Sequence, residues 1–351
     1  MKVRIDKKYV GFGQPTFIII EIGSNYNKNF FTAKKMIGII KKSGADAVKF
    51  QIFKEKKLYV KDAGQVDYLK KNIVINELVK KAEVKDFLHQ RLFDYCKKVG
   101  LIYLCTPTDE DVADYLENMG VAAYKVASYD LTNHFLLQHV AKKGKPVILS
   151  TGAGNFSDVE DAVKVIKQAG NHKIILLQCV AQYPAEYKYT NLNTMALYEK
   201  KFGFPAGISD HSFDPFIVPY AAVAMGAKLV EKHFTLDRRQ EGPDHAFAIE
   251  PDELFRMVDG IRKIELAKGS EQKKVSAGEK ELRRFAYRSI FAVANISKGD
   301  IITRENSYVL RPGKRQRGVD AKFYSKILGS KASKDIKYNQ AIKWQNIFLK
   351  K

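Results

Sequence analysis

The chain has 351 residues, a formal net charge of +21 and 45% hydrophobic residues. That length suggests roughly two domains of ordinary size, and the hydrophobic fraction excludes a wholly disordered chain. The sequence contains no uninterrupted apolar run of about 18 residues, and its opening segment lacks the pattern of a signal peptide. Three cysteines do not make a disulfide framework. We therefore expect a cytoplasmic protein that has no membrane partner.

The positive charge allows three interpretations, since 60 Lys and Arg face 39 Asp and Glu. They are nucleic-acid binding, attraction of a small anionic substrate, and lysines spread over solvated faces. The lysines alternate with acids along most of the chain, and the densest basic cluster covers only residues 314–317. No common nucleic-acid-binding motif is visible. This pattern favours solvated faces, then an anionic substrate, and nucleic acid is the least expected partner.

A helical stretch that ends in glycine and is followed by a short apolar run occurs six times. Glycine at these points suits a helix C-cap, because it tolerates the left-handed conformation. The glycines are Gly44, Gly100, Gly120, Gly144, Gly170 and Gly226. With two further apolar segments the pattern predicts eight strands, near 16–22, 46–52, 101–106, 121–127, 146–151, 173–180, 206–209 and 228–234.

Strands that alternate with helices form parallel sheets, and eight such units in ~250 residues predict an α/β fold, a closed (β/α)8 TIM barrel. An open doubly wound sheet is the alternative, but the first turn, EIGSNYN, is not glycine-rich as that fold requires. The pattern changes near residue 270. We predict a barrel domain over 1–270, a linker over 271–285 and a small β-rich domain over 286–351.

The active site of such a barrel lies at the C-terminal ends of its strands. Two lysines and several hydroxyl groups fall there and could hold a phosphate-bearing anion: Lys49, Thr106, Lys125, Ser128, Ser150 and Ser209. A lysine with a solvated tip is the simpler interpretation of each ammonium group. Burying an unpaired ammonium is costly, so a functional role is preferred for both lysines.

His211 and His233 end neighbouring predicted strands and could share one divalent metal. Taken singly, each could be a structural histidine. The carboxylates of Glu21, Asp130 and Asp244 could move protons or bind hydroxyl groups. Four other histidines are predicted on the surface: His89, His134, His139 and His172. Cys105 and Cys179 are predicted to be inert core residues.

The ordered motifs EIGSN, VKFQIF, CTP, AYKVAS, ILSTG, GISDHS, EKHFTLD and EGPDHAF resemble those of the sialic acid synthase family. The tail, from SIFAVANISKGDIIT to LGSKASKDI, resembles the antifreeze-like (SAF) domain that ends these enzymes. The resemblance extends along nearly the whole chain. It implies a TIM barrel followed by a SAF domain.

The resemblance also implies a reaction. Phosphoenolpyruvate (PEP) would condense with the open-chain aldehyde of an N-acyl aminosugar, giving a nine-carbon 2-keto acid and inorganic phosphate. A divalent metal, Mn²⁺ or Mg²⁺, would be bound by His211 and His233. PEP would be bound by the lysine and hydroxyl set given above, and Glu21 or Asp130 would handle protons. The sugar would contact Gln51, Tyr183, Asp244 and, across a domain-swapped homodimer, Arg311.

Three positions depart from the family pattern: Tyr26 replaces a histidine, Tyr129-Asp130 replaces Gly-Glu, and Ala181 replaces an asparagine. All three would lie on the sugar side. N-acetylmannosamine is the first expected acceptor, and a 2,4-diacetamido-6-deoxy sugar of a legionaminate or pseudaminate route is the second. Two other hypotheses stay open. One is a different PEP-dependent synthase that makes a shorter keto acid, and the other is a weakly catalytic barrel whose terminal domain binds glycans or nucleic acid.

Overall fold

The structure is a computed structural model that describes residues 1–65 and 74–350. The chain divides into two compact units, Met1–Gly269 and Ser270–Lys351. Within the described residues, no helix is both long and apolar enough to cross a bilayer.

The first unit opens with an antiparallel hairpin of β1 (Lys2–Ile5) and β2 (Lys8–Gly11). Eight parallel strands then close into a barrel in which β10 pairs with both β9 and β3. They are β3 (Phe17–Glu21), β4 (Ala47–Ile52), β5 (Ile102–Pro107), β6 (Tyr124–Val126), β7 (Val147–Ser150), β8 (Ile174–Cys179), β9 (Ala206–Asp210) and β10 (Leu229–His233).

Helices connect the strands and cover the outside of the barrel. They are α1 (Phe30–Ser43), α2 (Glu55–Leu58), α3 (Ile75–Ala82), α4 (Asp86–Val99), α5 (Glu110–Met119), α6 (His134–Lys142), α7 (Phe156–Gln168), α8 (Thr194–Phe202), α9 (Ile217–Ala224) and α10 (Pro251–Lys268). All six glycines predicted at helix ends adopt a positive φ, as the sequence pattern requires.

The predicted (β/α)8 barrel is confirmed, and most strand bounds agree within one or two residues. The exception is β6, which begins at Tyr124 although the apolar run begins at Val121. The reason is local: the Val121 amide donates to Leu116 O, which keeps Val121 in the turn that ends α5.

The sequence did not predict the N-terminal hairpin. Its apolar side chains, Val3, Ile5 and Val10, pack with inward-facing residues near the start of the barrel strands, among them Phe17 and Ile19. The hairpin therefore fills the N-terminal end of the barrel. The functional residues lie at the opposite end.

The second unit is small and β-rich. Its elements are α11 (Lys280–Ala286), β11 (Ser289–Ala292), β12 (Ser307–Leu310), α12 (Tyr324–Ile327), β13 (Lys331–Ala332) and β14 (Ile347–Phe348). The strands β11 and β12 pair antiparallel, as do β13 and β14. Ile296 and Ile336, which hold equivalent places in two similar sequence runs, exchange both backbone hydrogen bonds. The segment predicted as a linker contains most of α11, and a capping box between Ser276 and Glu279 precedes that helix.

The close approach of β9 and β10 gives a test of the barrel. A Cβ on Gly207 would lie 2.1 Å from the backbone oxygen of Leu229. We expect Gly207→Ala to destabilise the barrel by about 3 kcal/mol, because backbone atoms cannot move aside as a side chain can. Gly38, within α1, has open space around a built Cβ. Gly38→Ala should therefore stabilise by ~1 kcal/mol. Urea denaturation of both variants measures the difference, and equal stability of the two would contradict this packing.

Candidate active site

A cavity of about 210 Å³ opens at the C-terminal ends of the barrel strands. Most of the side chains predicted for the site line it. They are Lys49, Gln51, Thr106, Lys125, Ser128, Ser150, Tyr183, Ser209, His211, His233 and Asp244. The strand register accounts for this convergence, because neighbouring strands place Lys49 beside Glu21 and His233 beside Glu21 in paired positions.

Two lysines and two glutamates form a buried cluster at the bottom of the cavity, and we call this set the lysine–glutamate floor: Lys49, Lys125, Glu21 and Glu231. Lys49, Lys125 and Glu231 line the cavity, and Glu21 lies behind them in contact with Lys49. All four side chains are buried. Lys49 Nζ lies 2.7 Å from Glu21 Oε2 and 3.6 Å from Glu231 Oε1. Lys125 Nζ lies 3.5 Å from the same oxygen of Glu231. One carboxylate oxygen is therefore shared by two ammonium groups.

The hydroxyl groups predicted to bind an anion surround this floor. Lys49 Nζ donates to Thr106 Oγ1 over 3.3 Å, and Lys125 Nζ donates to Ser150 Oγ over 2.7 Å. Ser209 Oγ donates to Glu231 Oε1 over 3.0 Å. Cationic and hydroxyl donors thus converge on one buried volume, which is the arrangement that phosphate and carboxylate groups require.

The floor contains opposing electrostatic effects. Burial disfavours the charged ammonium of Lys49, but Glu21 and Glu231 more than offset this and raise its pKa. Burial also opposes ionisation of Glu231, yet Lys125 and Lys49 lower its pKa below the usual value. Burial raises the pKa of Glu21 to about 7, although Lys49 acts in the other direction. Glu231 is therefore ionised at neutral pH, and Glu21 is poised to gain or lose a proton.

Sequence reasoning missed Glu231. It precedes His233 by two residues in β10, and side chains two apart in a strand point to the same face. A carboxylate on the inner face of a buried strand, opposite two buried lysines, was the signal that could have revealed it. Cys179 was also misjudged, because its side chain lines the cavity, whereas Cys105 lies in the core as predicted.

The two predicted metal-binding histidines face each other, and their ring centroids lie 5.4 Å apart. His211 Nδ1 lies 2.7 Å from Val180 O, so a proton there leaves Nε2 with a lone pair for a ligand. His233 Nδ1 is buried and has no hydrogen-bond partner among the described residues. Burial and the neighbouring His211 hold the pKa of His233 well below its usual value, which keeps its imidazole neutral.

These donors fit a divalent ion that takes its other ligands from substrate and water. Asp244 Oδ2 lies 3.8 Å from His233 Nδ1. Within residues 1–65 and 74–350, no group of three or more His, Cys, Asp or Glu side chains is arranged to hold a metal. His211 and His233 could supply two imidazole ligands to such an ion, and its other coordination positions would be filled by substrate and water.

The sugar-side residues Gln51, Tyr183 and Asp244 lie on the same part of the cavity. Gln51 Nε2 donates to Glu21 Oε1 over 2.9 Å. The Tyr183 ring packs on His211 with centroids 4.3 Å apart. Burial raises the pKa of Asp244 to about 6. A Cβ on Gly23 would lie 2.9 Å from Asp244 Oδ2, so the close approach of this carboxylate requires glycine there.

Apolar side chains cover one side of the cavity, and we call them the apolar wall: Phe53, Leu78, Val79, Ala82 and Tyr129. Three of them come from α3. Sequence analysis gave none of the α3 residues a role, because this helix precedes α4 as an extra element and does not follow a strand directly. No lysine or arginine belongs to this wall.

Besides Glu21 of the floor, two predicted site residues are not among those that line the cavity. Asp130 is half-buried in the turn Ser128–Asp130, and burial raises its pKa to about 6. Arg311 belongs to the second unit, directly after β12, and is exposed. Roles for both stay predictions.

One predicted surface residue proves to be buried. His89 lies on the inner face of α4, where its Nδ1 is 2.9 Å from the hydroxyl of Tyr103. Burial lowers the pKa of His89 to about 4, so it is a neutral core residue. Tyr26, at the position where the family has histidine, is also buried and packs edge-on against Phe50.

Comparison with known proteins agrees with this geometry. The model of the NeuB family matches residues 36–273. This chain belongs to the NeuB family. The SAF domain model matches residues 287–347, which confirms the predicted terminal domain.

Several relatives are similar over nearly their whole length. The spore coat polysaccharide biosynthesis protein SpsE of Bacillus subtilis is 40% identical over 99% of this chain and 97% of its own. The N,N'-diacetyllegionaminic acid synthase of Campylobacter jejuni is 37% identical, over 93% of this chain and 99% of its own. The crystal structure of the sialic acid synthetase of Leptospira borgpetersenii, in complex with citrate, has a TM-score of 0.72 and 32% identity over 80% of this chain and 95% of that one.

These findings confirm the predicted class of function, a nonulosonic acid synthase of the NeuB family. The relatives differ in the acid that they are named for. The acceptor sugar therefore depends on details of each site.

The protonation of Glu21 predicts how anion binding depends on pH. Below its pKa of about 7, Glu21 is neutral and the floor carries an excess of positive charge. Above that value, its ionised carboxylate repels an anion. We expect the affinity for PEP to fall roughly tenfold from about pH 6 to about pH 8.

Calorimetric titration with PEP at several pH values measures this effect, and Glu21→Gln is the matched control. The titration of the phosphate in PEP is common to both proteins, so only the difference between them reports on Glu21. Identical pH profiles for the two proteins would rule out this role of Glu21.

Proposed function

We propose that this enzyme condenses PEP with the open-chain aldehyde of a 2,4-diacetamido-6-deoxy hexose. C3 of PEP would bond to the aldehyde carbon, water would add at C2, and the C2–O bond to phosphate would break. The products would be a nine-carbon 2-keto acid and inorganic phosphate. The observation that carries the proposal is the pair of buried lysines, Lys49 and Lys125, facing a cavity among hydroxyl donors. N-acetylmannosamine is the second candidate acceptor.

The donor would lie on the lysine–glutamate floor. Its phosphate and carboxylate would accept hydrogen bonds from Lys49, Lys125 and the hydroxyl groups of Thr106, Ser128, Ser150 and Ser209. Gly152 supports this arrangement, because its amide donates to Ser128 Oγ over 2.9 Å and leaves that hydroxyl proton for a ligand. Holding both anionic groups fixes the orientation of PEP, so that C3 faces the acceptor.

Protons would be handled by carboxylates whose pKa values lie near neutrality. Burial raises the pKa of Glu21 to about 7 and that of Asp244 to about 6. Glu21 would take the proton from the water that adds at C2. Asp244 would bind a hydroxyl group of the sugar or protonate the new alkoxide. Asp130 would support the turn that carries Ser128.

A divalent metal, Mn²⁺ or Mg²⁺, would be held by His211 and His233. When bound, such an ion polarises a carbonyl oxygen and stabilises the negative charge that develops on it. Two buried imidazoles on neighbouring strand ends, with the carboxylate of Asp244 nearby, support this assignment.

The acceptor follows from the apolar wall. A 2,4-diacetamido-6-deoxy hexose presents a C6 methyl group and a second acetamido methyl group where N-acetylmannosamine presents hydroxyl groups. Burying methyl groups against Leu78, Val79 and Tyr129 is favourable, whereas burying unpaired hydroxyl groups is costly. Among the described residues that line the cavity, the only lysines or arginines are Lys49 and Lys125 of the floor. A sugar 6-phosphate is therefore disfavoured.

A homodimer would complete the site. Arg311 would reach the sugar in the barrel of the partner subunit, where its guanidinium would bind hydroxyl or amide oxygens. Its exposure and its place directly after β12 are compatible with such a contact.

Phosphate release tests the reaction. PEP and Mn²⁺ are combined with each of N-acetylmannosamine, its 6-phosphate and 2,4-diacetamido-6-deoxy sugars, with and without EDTA. We expect the highest kcat/KM with a diacetamido sugar, about tenfold or more above N-acetylmannosamine, because two additional methyl groups become buried. EDTA should abolish release. Preference for the 6-phosphate would contradict the acceptor proposal, and full activity in EDTA would contradict the metal.

Arg311→Ala tests the contribution of the second unit. We expect it to raise the KM for the sugar about tenfold or more, and that for PEP far less, because the arginine would touch only the sugar. Arg304→Ala, also exposed and in the same unit, is the matched control. Steady-state kinetics with both substrates varied gives the two constants. Equal effects on both substrates would argue against this contact.

A further inference from the structure

Lys232 is a buried lysine that does not face the cavity. It lies in β10 between Glu231 and His233 and is 1% exposed. Because side chains alternate along a strand, it points outward, away from the floor. Its ammonium lies 2.6 Å from Asp210 Oδ2 and 2.6 Å from Ser212 O. It also lies 3.1 Å from Asp214 O.

These partners surround His211 in the chain. Asp210 precedes His211 and Ser212 follows it. Asp210 Oδ1 accepts from the Ser212 amide over 2.8 Å, and Asp210 Oδ2 accepts from Ser212 Oγ over 3.0 Å. Lys232 thus closes a compact loop around the histidine, and we call residues 210–214 the His211 loop. The carboxylate of Asp214, at the end of this loop, accepts from the Phe216 and Ile217 amides at the start of α9.

Strand pairing alone does not hold His211 in place. The ladder between β9 and β10 ends with the pair Lys232 and Asp210, so His211 lies beyond the last paired residue. His233 is fixed by β10 itself, because it pairs with Glu21 of β3. His211 also has contacts of its own, since its backbone oxygen accepts from the Ala185 amide and its Nδ1 lies 2.7 Å from Val180 O. The ammonium of Lys232 adds a link from β10, next to His233, to the loop that carries His211.

We propose that Lys232 is a positioning residue that sets the spacing of the two histidine rings. It would hold the ring of His211 at the distance from His233 at which one divalent ion can bind both. This inference rests on the metal proposed above. A buried ion pair of this kind is costly to form, and the same loop could be closed by apolar packing. Its place next to both histidines is explained by the directional bonds that an ammonium with three donors makes to one carboxylate and two carbonyl oxygens.

The experiment measures Mn²⁺ binding and PEP binding separately, by calorimetry on the full chain. The variants are Lys232→Arg, Lys232→Met and Asp210→Asn. Lys228→Met is the matched control, because Lys228 directly precedes β10 and its ammonium donates to Gly226 O over 2.7 Å without contacting the His211 loop. His233→Ala is the reference for loss of the metal site.

We expect each of the three variants that folds to bind Mn²⁺ about 10–100-fold more weakly than the wild type, as loss of groups that orient metal ligands commonly does. PEP affinity should stay within roughly twofold, and raised Mn²⁺ should restore much of kcat. Lys228→Met should bind both ligands as the wild type does.

Folded variants that bind Mn²⁺ with wild-type affinity would overturn the proposal. So would failure of all three variants to fold, since Lys232 would then be required for the barrel as a whole. Two other results would instead overturn the metal site itself: absence of Mn²⁺ binding in the wild type, or unchanged Mn²⁺ binding in His233→Ala. Failure of the Lys232 proposal is thus distinguished from failure of the proposed metal site.

Discussion

Lys49 and Lys125 are buried together at the closed end of a cavity, and one oxygen of Glu231 lies between their ammonium groups. Removing an ion from water costs several kcal/mol even after the protein relaxes, so two buried like charges would not remain charged without nearby carboxylates. Glu231 and Glu21 supply that compensation for Lys49, whose pKa they raise, while at Lys125 burial outweighs the carboxylates and lowers the pKa. The compensation is incomplete, since burial raises the pKa of Glu21 to about 7 and so favours the neutral carboxyl group more than usual. An anionic donor that enters the cavity therefore meets a positive surface that is already formed.

The strand β10 contributes to every part of this arrangement. Glu231 points inward to the two lysines, His233 points inward to the other histidine, and Lys232 points outward to the loop of His211. Side chains that alternate in direction along one strand thus contribute to the PEP site, to the proposed metal site and to the ion pair that supports the loop of His211. If β10 shifted by one residue in its register, each of these three side chains would point to the opposite side of the strand. The tight packing of Gly207 against Leu229 O therefore matters for function as well as for stability.

The barrel and most of its site could be predicted from the sequence, because parallel strands bring their C-terminal residues to one edge whatever the detailed packing. Glu231 was not predicted, because it lies two positions before the end of its strand, although its side chain points to the same face as that of His233. His89 could have been recognised as buried, because it stands with Leu92 and Cys96 at the helical spacing of the inner face of α4. The N-terminal hairpin and the apolar wall depend on contacts between distant segments, which local sequence patterns do not encode.

The most direct test of the central claim follows the carbon atoms of PEP. The enzyme is incubated with Mn²⁺, a 2,4-diacetamido-6-deoxy hexose and PEP that carries ¹³C at all three carbons, and the products are analysed by mass spectrometry. We expect a keto acid that contains the whole labelled unit joined to the sugar, formed in step with inorganic phosphate. Labelled pyruvate and phosphate without the joined product would contradict it, because the cavity would then hydrolyse the donor and not condense it.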